Sequence, residues 1–256
     1  MVEFLELSMA EQTDHEMLRR FYSECLVPAF PDPDERESLE NIQKYLWLKQ
    51  RGELGANNYH VLVVLDGDAV VAGSVSAYLE KPSAGAIEYL FVNPEQRGKG
   101  LANHLLEATE HTLAADAESA RRAIELIIAE IQDPFRTPRS GAAFDPFKRA
   151  AIWHRWGYRV MDFPYVQRAL TPQQATVDTL LLITRTFSAE FEQSIPPDRV
   201  LTVLHEYLRW VMQIPVPREE PTFAAMAEHL SGVDGPIPLI ALSDYVSDDA
   251  SKGSAK

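Results

Sequence analysis

The sequence predicts an α+β fold, in which a mixed, mostly antiparallel twisted sheet is flanked by helices. Three β-favouring runs, at 59–65, 70–79 and 86–92, follow one another with short turns between them. The Asp66-Gly67 step between the first two runs is a strong hairpin signal. A one-sided apolar pattern then begins at Leu101 and has the period of a helix. An antiparallel meander that leads into a helix is therefore expected.

The segments on either side of the meander complete the predicted order. We expect strands at 2–8, 124–131, 158–163 and 177–187, and helices at 11–26, 38–50, 101–115, 146–156, 200–211 and 223–232. The sequence thus predicts a domain over 1–187, a C-terminal helical extension over 188–234 that packs on the core, and a partly disordered tail over 235–256. The extension's apolar stripe is alternatively a dimer contact.

The composition excludes several classes of protein. The net charge of −14 over 256 residues argues against duplex nucleic acid or an anionic membrane as a partner. No apolar run approaches the roughly 18–20 residues that a membrane span requires. The N-terminus lacks the pattern of a signal peptide, and a single cysteine, Cys25, provides no disulfide framework. We expect a cytoplasmic protein that is a monomer or a homodimer.

A glycine-containing turn is the strongest functional signal. The run at 86–92 is stopped by Asn93-Pro94, and Gly98 and Gly100 follow shortly before the helix. The first amides of a helix have no internal partners and lie at its positive end, so this arrangement favours an anion. The segment 133–159 carries six basic residues against two acids, which suits a polyanionic cofactor or, alternatively, is ordinary surface charge.

Two motifs resemble the GNAT acetyltransferase superfamily. Arg97–Ala102 fits that family's Arg/Gln-x-x-Gly-x-Gly/Ala pattern after its fourth strand, and 150–158 looks like its late helix, which normally ends in Tyr-x-x-x-Gly-Phe. The resemblance covers roughly 1–187. It implies the GNAT fold, acetyl-CoA as acyl donor, and direct transfer to an amine in a ternary complex.

The resemblance also places the donor. It implies that the main chain at the end of the strand binds the pantetheine arm, and that the turn and helix start bind the pyrophosphate. By position these residues are Leu90, Phe91, Val92, Arg97, Gly98, Lys99, Gly100, Leu101, Ala102 and Asn103.

Direct transfer requires a base that removes a proton from the ammonium group of the acceptor. Glu88 is the best candidate because it is the lone charge in an apolar strand, where burial would raise its pKa. The resemblance also often places a base on this strand. A structural salt bridge is the other interpretation of Glu88, and Glu130 at the end of the next strand is the alternative base.

The thiolate side departs from the family pattern. Trp153 occupies the position of the usual tyrosine acid, and an indole N–H has no dissociable proton in this range. Trp153 either donates a hydrogen bond to sulfur, lines the wall of the channel or packs in the core. Tyr158 and Tyr89 are possible replacements, whereas His154 should point to another helix face.

Other chemistries lack support. His104 and His111 are separated by about 10.5 Å of helical rise, too far to chelate one ion, and no metal site is expected. No zinc-protease or serine-esterase motif occurs, and Cys25 is expected to be a small core residue rather than a nucleophile.

The acceptor is constrained mainly by charge. Four acids between Asp32 and Glu37 suit a helix N-terminus and a solvated face, but they also favour a cationic acceptor. We therefore expect acetyl transfer to the primary amine of a cationic small molecule. A protein or peptide amine, and a non-catalytic module that binds acyl-CoA, remain as alternatives.

Overall fold

The computed structural model describes residues 2–137, 144–169, 171 and 173–253. The chain divides into two units, Met1–Ile124 and Glu125–Lys256. The predicted boundaries at 187 and 234 remain predictions.

The first unit contains the predicted meander. Its strands are β1 (Val2–Glu6), β2 (Asn58–Asp66), β3 (Ala69–Leu79) and β4 (Ala84–Val92). They lie in the order β1-β2-β3-β4, and each neighbouring pair is antiparallel.

Four helices accompany these strands: α1 (Gln12–Arg20), α2 (Val27–Ala29), α3 (Leu39–Gln50) and α4 (Leu101–Ser119). The predicted helix over 11–26 is not uniform, because a π-helical segment, Phe21–Leu26, separates α1 from α2. Short 3-10 turns occur at Pro33–Glu35 and Pro94–Gln96.

Both faces of the first unit's sheet are covered. On β3, Ser74 hydrogen-bonds to Thr109 of α4 at 2.7 Å, while its neighbour Gly73 lies against Phe21 on the other face. Tyr45 of α3 packs against Tyr59 of β2 on the same face as Gly73, with ring centroids 4.9 Å apart. Helix α4 therefore packs on one face, and the π-helical segment and α3 pack on the other.

The second unit has strands β5 (Leu126–Gln132), β6 (Arg159–Met161), β7 (Leu180–Thr186), β8 (Ser194–Ile195) and β9 (Ile237–Ala241). Their order is β5-β7-β6-β9-β8, and neighbours are antiparallel. The helices are α5 (Pro146–Arg155), α6 (Pro197–Glu206), α7 (Pro221–Ser231) and α8 (Leu242–Gly253). A π-helical segment, Tyr207–Val211, continues α6, and 3-10 turns occur at Ala189–Phe191 and Pro217–Glu219.

The predicted fold class is confirmed, and the predicted strands and helices are present with bounds shifted by a few residues. Four elements were not predicted: α2, β8, β9 and α8. Strand β9 lies in the segment expected to be a partly disordered tail, and it pairs with both β6 and β8. Its sequence signal is weak because Pro238 interrupts a run of only five residues. The predicted loop over 132–146 is only partly described, since 138–143 lie outside the described residues.

The apolar stripe of the predicted C-terminal extension is buried in the second unit. Its buried members include Val200, Leu204 and Leu208 before the turn, and Phe223 and Leu230 after it. In the described ranges, no helix combines the length and apolar character needed to cross a bilayer.

An ionic network centred on the buried His60 ties two strands to two helices in the first unit. His60 of β2 bonds through Nδ1 to Glu6 of β1 and through Nε2 to Asp116 of α4, both at 2.7 Å. Lys49 of α3 contacts the same Glu6 oxygen at 2.6 Å, and Asn58 donates to Asp116 at 2.7 Å. Burial disfavours a charge on His60, but the hydrogen bonds to Asp116 and Glu6 outweigh it and raise the pKa of His60 above its ordinary value. The His60 bond lowers the pKa of Glu6 to about 2.

We expect His60→Gln to lower the free energy of unfolding by about 1–2 kcal/mol near pH 6, because the carboxylates of Glu6 and Asp116, which are partly exposed, lose their shared cationic partner. The raised pKa of His60 makes its contribution complete below about pH 6.5, and the contribution is lost as pH rises through the folded value. The lowered pKa of Glu6 makes its contribution complete above about pH 4.5, and it is lost as pH falls towards 2. Denaturant unfolding across this range measures the difference from wild type, which should be largest between those two limits.

His104→Gln, on an exposed position of α4, is the matched control, and we expect it to change the free energy of unfolding by less than about 0.5 kcal/mol. A His60→Gln effect that does not vary with pH would show that packing, rather than charge, is what this residue supplies.

Gly73 permits a close approach between β3 and the π-helical segment. A Cβ atom at this position would lie 2.5 Å from Cε2 of Phe21 and 2.8 Å from the carbonyl oxygen of Leu62. Both are closer than real contacts allow, and the second neighbour is backbone. A side chain at 73 would therefore push the helical layer away from the sheet.

We expect Gly73→Ala to destabilise the protein by about 2 kcal/mol, the usual cost of overpacking a dense core. Thermal or denaturant unfolding measures this cost. Combining Gly73→Ala with Phe21→Leu should recover part of the loss, whereas strictly additive losses would place the strain elsewhere.

Candidate active site

The end of β4, the glycine turn and the start of α4 form one continuous feature of the first unit. Gly98 and Gly100 have φ angles of +78° and +80°, in the left-handed region that favours glycine. Gly100 is the N-cap of α4, which runs for 19 residues. Arg97 braces the turn, because its Nε donates to the carbonyl oxygen of Val92 at 3.0 Å.

The turn has the properties of an anion site. Within the described ranges, none of the backbone amides from Gly98 to Ala102 donates to another backbone group. A Cβ at Gly98 or Gly100 would meet nothing within 4 Å, so the space beside the turn is open. The N-terminal end of α4 adds a positive dipole end. A pyrophosphate group therefore fits these residues, and the predicted roles of Leu90, Phe91, Val92, Lys99, Leu101, Ala102 and Asn103 remain proposals.

A β-bulge places Glu88. The β3–β4 register passes from Val75 opposite Tyr89 to Ser76 opposite Ile87, so Glu88 is an extra residue on β4. Successive strand residues otherwise face opposite sides of a sheet. The extra residue brings Glu88 and Tyr89 to the same face, the one covered by α3. Glu88 is partly exposed there, whereas most of β4 is buried.

Glu88 belongs to a group of side chains on that face, which we call the acidic-aromatic cluster: Glu37, Tyr45, Tyr59, Glu88 and Tyr89. Burial raises the pKa of Tyr59, and the nearby carboxylates of Glu88 and Glu37 raise it further. The same two carboxylates, after burial, raise the pKa of Tyr45. Both acids thus lie close to both phenols, and the cluster combines negative charge with aromatic surface.

Glu37 is buried, although the acids around it were expected to form a solvated face. The residue is 4% exposed, and its Oε1 accepts hydrogen bonds from Ser38 N and Asn41 Nδ2, each at 2.8 Å. Burial raises the pKa of Glu37. Tyr89 Oη accepts from Glu37 N at 2.7 Å and donates to the carbonyl oxygen of Glu35 at 3.2 Å. The Tyr89 hydroxyl proton is therefore engaged in fixing this loop.

The alternative base, Glu130, lies on β5 in the second unit. Tyr165 Oη donates a short hydrogen bond to Oε1 of Glu130, and Gln167 Nε2 lies 3.4 Å from Oε2. Burial raises the pKa of Tyr165, and the Glu130 carboxylate raises it further. Both oxygens of Glu130 are thus occupied by neutral donors, which hold it in place.

Trp153 and Tyr158 pack against each other in the second unit. Their ring centroids are 4.6 Å apart, and Trp156 lies 5.2 Å from Trp153. Trp153 is 7% exposed and Tyr158 is completely buried. His154 is exposed, as expected for a different helix face. The contacts of Trp153 are those of a core residue, which was one of its three predicted uses.

The basic segment is partly used within the second unit. Arg136 pairs with Asp178 at 2.6 Å, Arg149 donates to Gln132 at 3.1 Å, and Arg159 donates to the carbonyl oxygen of Glu192 at 2.8 Å. Arg139 lies outside the described residues. These contacts favour the structural interpretation for at least three of its six cations.

Cys25 is a core residue, as predicted. It is 3% exposed, and burial raises the pKa of its thiol to about 11, which disfavours the nucleophilic thiolate. Among the residues that the structure describes, no three His, Cys, Asp or Glu side chains are arranged to hold a metal ion.

Comparisons with known proteins agree with this architecture. Residues 15–134, slightly less than half of the chain, match the model of the acetyltransferase (GNAT) family. A solved structure described as an acetyltransferase from the GNAT family of Bacteroides thetaiotaomicron is 17% identical and superimposes with a TM-score of 0.54. That match covers 83% of this chain and 99% of the other. At this identity the likeness shows the fold.

A second match is the PaiA N-acetyltransferase from Thermoplasma acidophilum in complex with coenzyme A, at 12% identity and a TM-score of 0.49. It covers 73% of this chain and 99% of the other. No curated protein gives a significant match. Through residues 15–134, which carry β2 to β4, the glycine turn and α4, the chain is similar to the acetyltransferase (GNAT) family.

Proposed function

We propose that this protein transfers the acetyl group of acetyl-CoA directly to a primary amine of a cationic small molecule. The observation that carries the proposal is that one strand, β4, presents both required sites. The bulge at Glu88 turns a carboxylate towards the acidic-aromatic cluster, and the strand's end leads into a glycine turn with unpaired amides. In this arrangement the turn holds the pyrophosphate and the main chain of 90–92 holds the pantetheine arm.

Glu88 is the proposed general base. The amine must lose a proton as its nitrogen attacks the thioester carbonyl carbon, and a partly exposed carboxylate among aromatic side chains can accept that proton. The C–N bond then forms, the C–S bond breaks, and coenzyme A leaves as the thiolate. Glu130 is less suited, because Tyr165 and Gln167 already occupy its two oxygens.

We propose that the departing thiolate takes its proton from solvent. Trp153 has no dissociable proton, Tyr158 is completely buried, and the Tyr89 proton is directed at the carbonyl oxygen of Glu35. A thiol has an ordinary pKa of about 8.5, so water protonates a thiolate readily near neutral pH. A dedicated tyrosine acid is therefore dispensable, and Trp153 and Tyr158 contribute packing.

The setting of the enzyme is part of the proposal. We infer a cytoplasmic monomer or homodimer whose segment 188–234 packs on the core, which agrees with the burial of its apolar stripe in the second unit.

Gly100→Asp tests the anion site, with Gly100→Asn as the matched control. Both side chains have the same size and tolerate the left-handed conformation, so they differ only in charge. We expect the Asp variant to bind acetyl-CoA about a hundredfold more weakly than the Asn variant, a difference of about 2.7 kcal/mol. Calorimetry measures both affinities, and circular dichroism verifies folding. Equal affinities would place the pyrophosphate elsewhere.

Glu88→Gln tests the base, with Glu130→Gln as its counterpart. We expect Glu88→Gln to lower kcat/KM by about 10²–10⁴-fold and to remove the acidic limb of the pH profile, with acetyl-CoA affinity preserved. Thiol release measured with a panel of amines and peptides supplies the rates. Glu130→Gln should lower kcat/KM by less than about tenfold. The assignment is overturned if the two variants exchange these phenotypes.

A further inference from the structure

The acidic-aromatic cluster contains two polar atoms that the described residues leave without hydrogen bonds. Tyr59 is 3% exposed, and its Oη has no partner in the described part of the chain. Glu37 uses Oε1 for Ser38 and Asn41, whereas Oε2 receives no hydrogen bond from the described residues. A phenol oxygen and a carboxylate oxygen both accept hydrogen bonds from an ammonium group. A buried polar atom without a partner is costly, so Tyr59 Oη calls for a ligand or a water, and Oε2 of Glu37 is available to the same ligand.

These groups share one face with Glu88. Tyr59 on β2 lies opposite Ala77 on β3, which lies opposite Ala86 on β4. The side chains between the Tyr59 phenol and the bulge on β4 are therefore those of two alanines, each a single methyl group. Neighbouring strands are about 4.8 Å apart, so the backbones of Tyr59 and β4 are about 10 Å apart across the sheet. The side chains of Tyr59 and Glu88 both extend from this face, and the distance between their polar ends can be shorter. Tyr45 packs against Tyr59 with ring centroids 4.9 Å apart and adds a second aromatic surface.

The charge in this region is strongly negative. The segment 32–40 contains five acids and one base, Arg36, and Glu37 forms no ion pair with any described residue. A buried carboxylate with no cation in direct contact is unfavourable, and burial raises the pKa of Glu37 more than the hydrogen bonds from Asn41 and Ser38 and the charge of Lys44 lower it. A bound ammonium group would offset that cost and would also contact aromatic faces favourably.

We propose that the acceptor is a small diamine, whose second amino group binds as an ammonium ion to Oε2 of Glu37 and Oη of Tyr59 while the first reacts at Glu88. This inference rests on the proposed function and adds a substrate class to it. In this arrangement Glu88 takes up the reaction's proton, and Glu37 with Tyr59 selects the molecule. Each nitrogen of the diamine therefore has its own carboxylate: Glu88 for the reacting amine and Glu37 for the bound ammonium group.

The first experiment compares α,ω-diaminoalkanes with the n-alkylamines of the same chain length. The kcat/KM of wild type for the best diamine should be at least about tenfold higher than its kcat/KM for the monoamine of the same length. The reason is that the diamine's second ammonium group forms charged hydrogen bonds that the monoamine cannot form. In Glu37→Gln this ratio should fall towards one, mainly through KM. Glu40→Gln, which removes an exposed charge from the same segment, should retain the wild-type ratio.

Tyr59→Phe separates recognition from structure. The change removes only the unpaired hydroxyl, so thermal stability should be unchanged or slightly raised, whereas the diamine-to-monoamine ratio should fall about threefold to tenfold. A loss of stability with an unchanged ratio would show that the hydroxyl is satisfied by a buried water, and it would overturn the assignment.

Calorimetry with diamine alone keeps the inference testable if turnover is absent. Binding to wild type that is at least about tenfold tighter than binding to Glu37→Gln supports the ammonium subsite, whether or not an amine is acetylated. The absence of acetylation with every amine would refute the proposed function alone. Acetylation of diamines and monoamines at equal efficiency would leave the proposed function intact and refute the subsite.

Discussion

The pairing of β4 with β3 is the constraint on which the candidate active site depends. Along most of its length β4 follows the alternation of an ordinary strand, and Phe91 and Val92 are buried by it. The single extra residue at Glu88 changes this alternation at one point. As a result, the side chains of Glu88 and Tyr89 both face α3, and the Glu88 carboxylate is partly exposed instead of buried in the core. The register on both sides of the bulge keeps β4 extended up to the glycine turn, so one rigid segment holds both the proposed base and the proposed anion site.

Much of the first unit was predictable because its signals are local. The Asp-Gly hairpin, the proline that ends β4 and the paired glycines each act within a few residues. The bulge was not predictable, since one additional strand residue leaves no trace in composition or period. The same is true of Glu37: its sequence neighbours indicate a solvated helix start, and only the tertiary contacts of Asn41 and Tyr89 bury it. The charges on Glu6, His60 and Asp116 are too far apart in sequence to suggest a network.

Two kinds of buried charge therefore occur in the first unit, and they differ in how they are satisfied. His60 is enclosed by partners on both ring nitrogens and is a structural element. Tyr59 has a buried hydroxyl without a partner, and Glu37 is hydrogen-bonded through Oε1 alone, which is unfavourable for stability but suitable for binding. The contrast lies in completeness of hydrogen bonding, not in burial, because all three residues are nearly inaccessible. The second unit shows the same contrast in milder form, where Glu130 is held by Tyr165 and Gln167.

The position of β9 in the second unit bears on how the chain matures during synthesis. Every strand of the first unit has been made by Val92, whereas β6, complete at Met161, pairs with β9, which begins only at Ile237. Contacts between such distant segments form slowly, and domains generally fold in the order in which they are synthesised. A nascent chain can thus assemble the first unit's sheet while the second unit still presents an open strand edge. That edge is closed only after Ile237–Ala241 has been synthesised, so it stays open to non-native pairing while the segment between β6 and β9 is made.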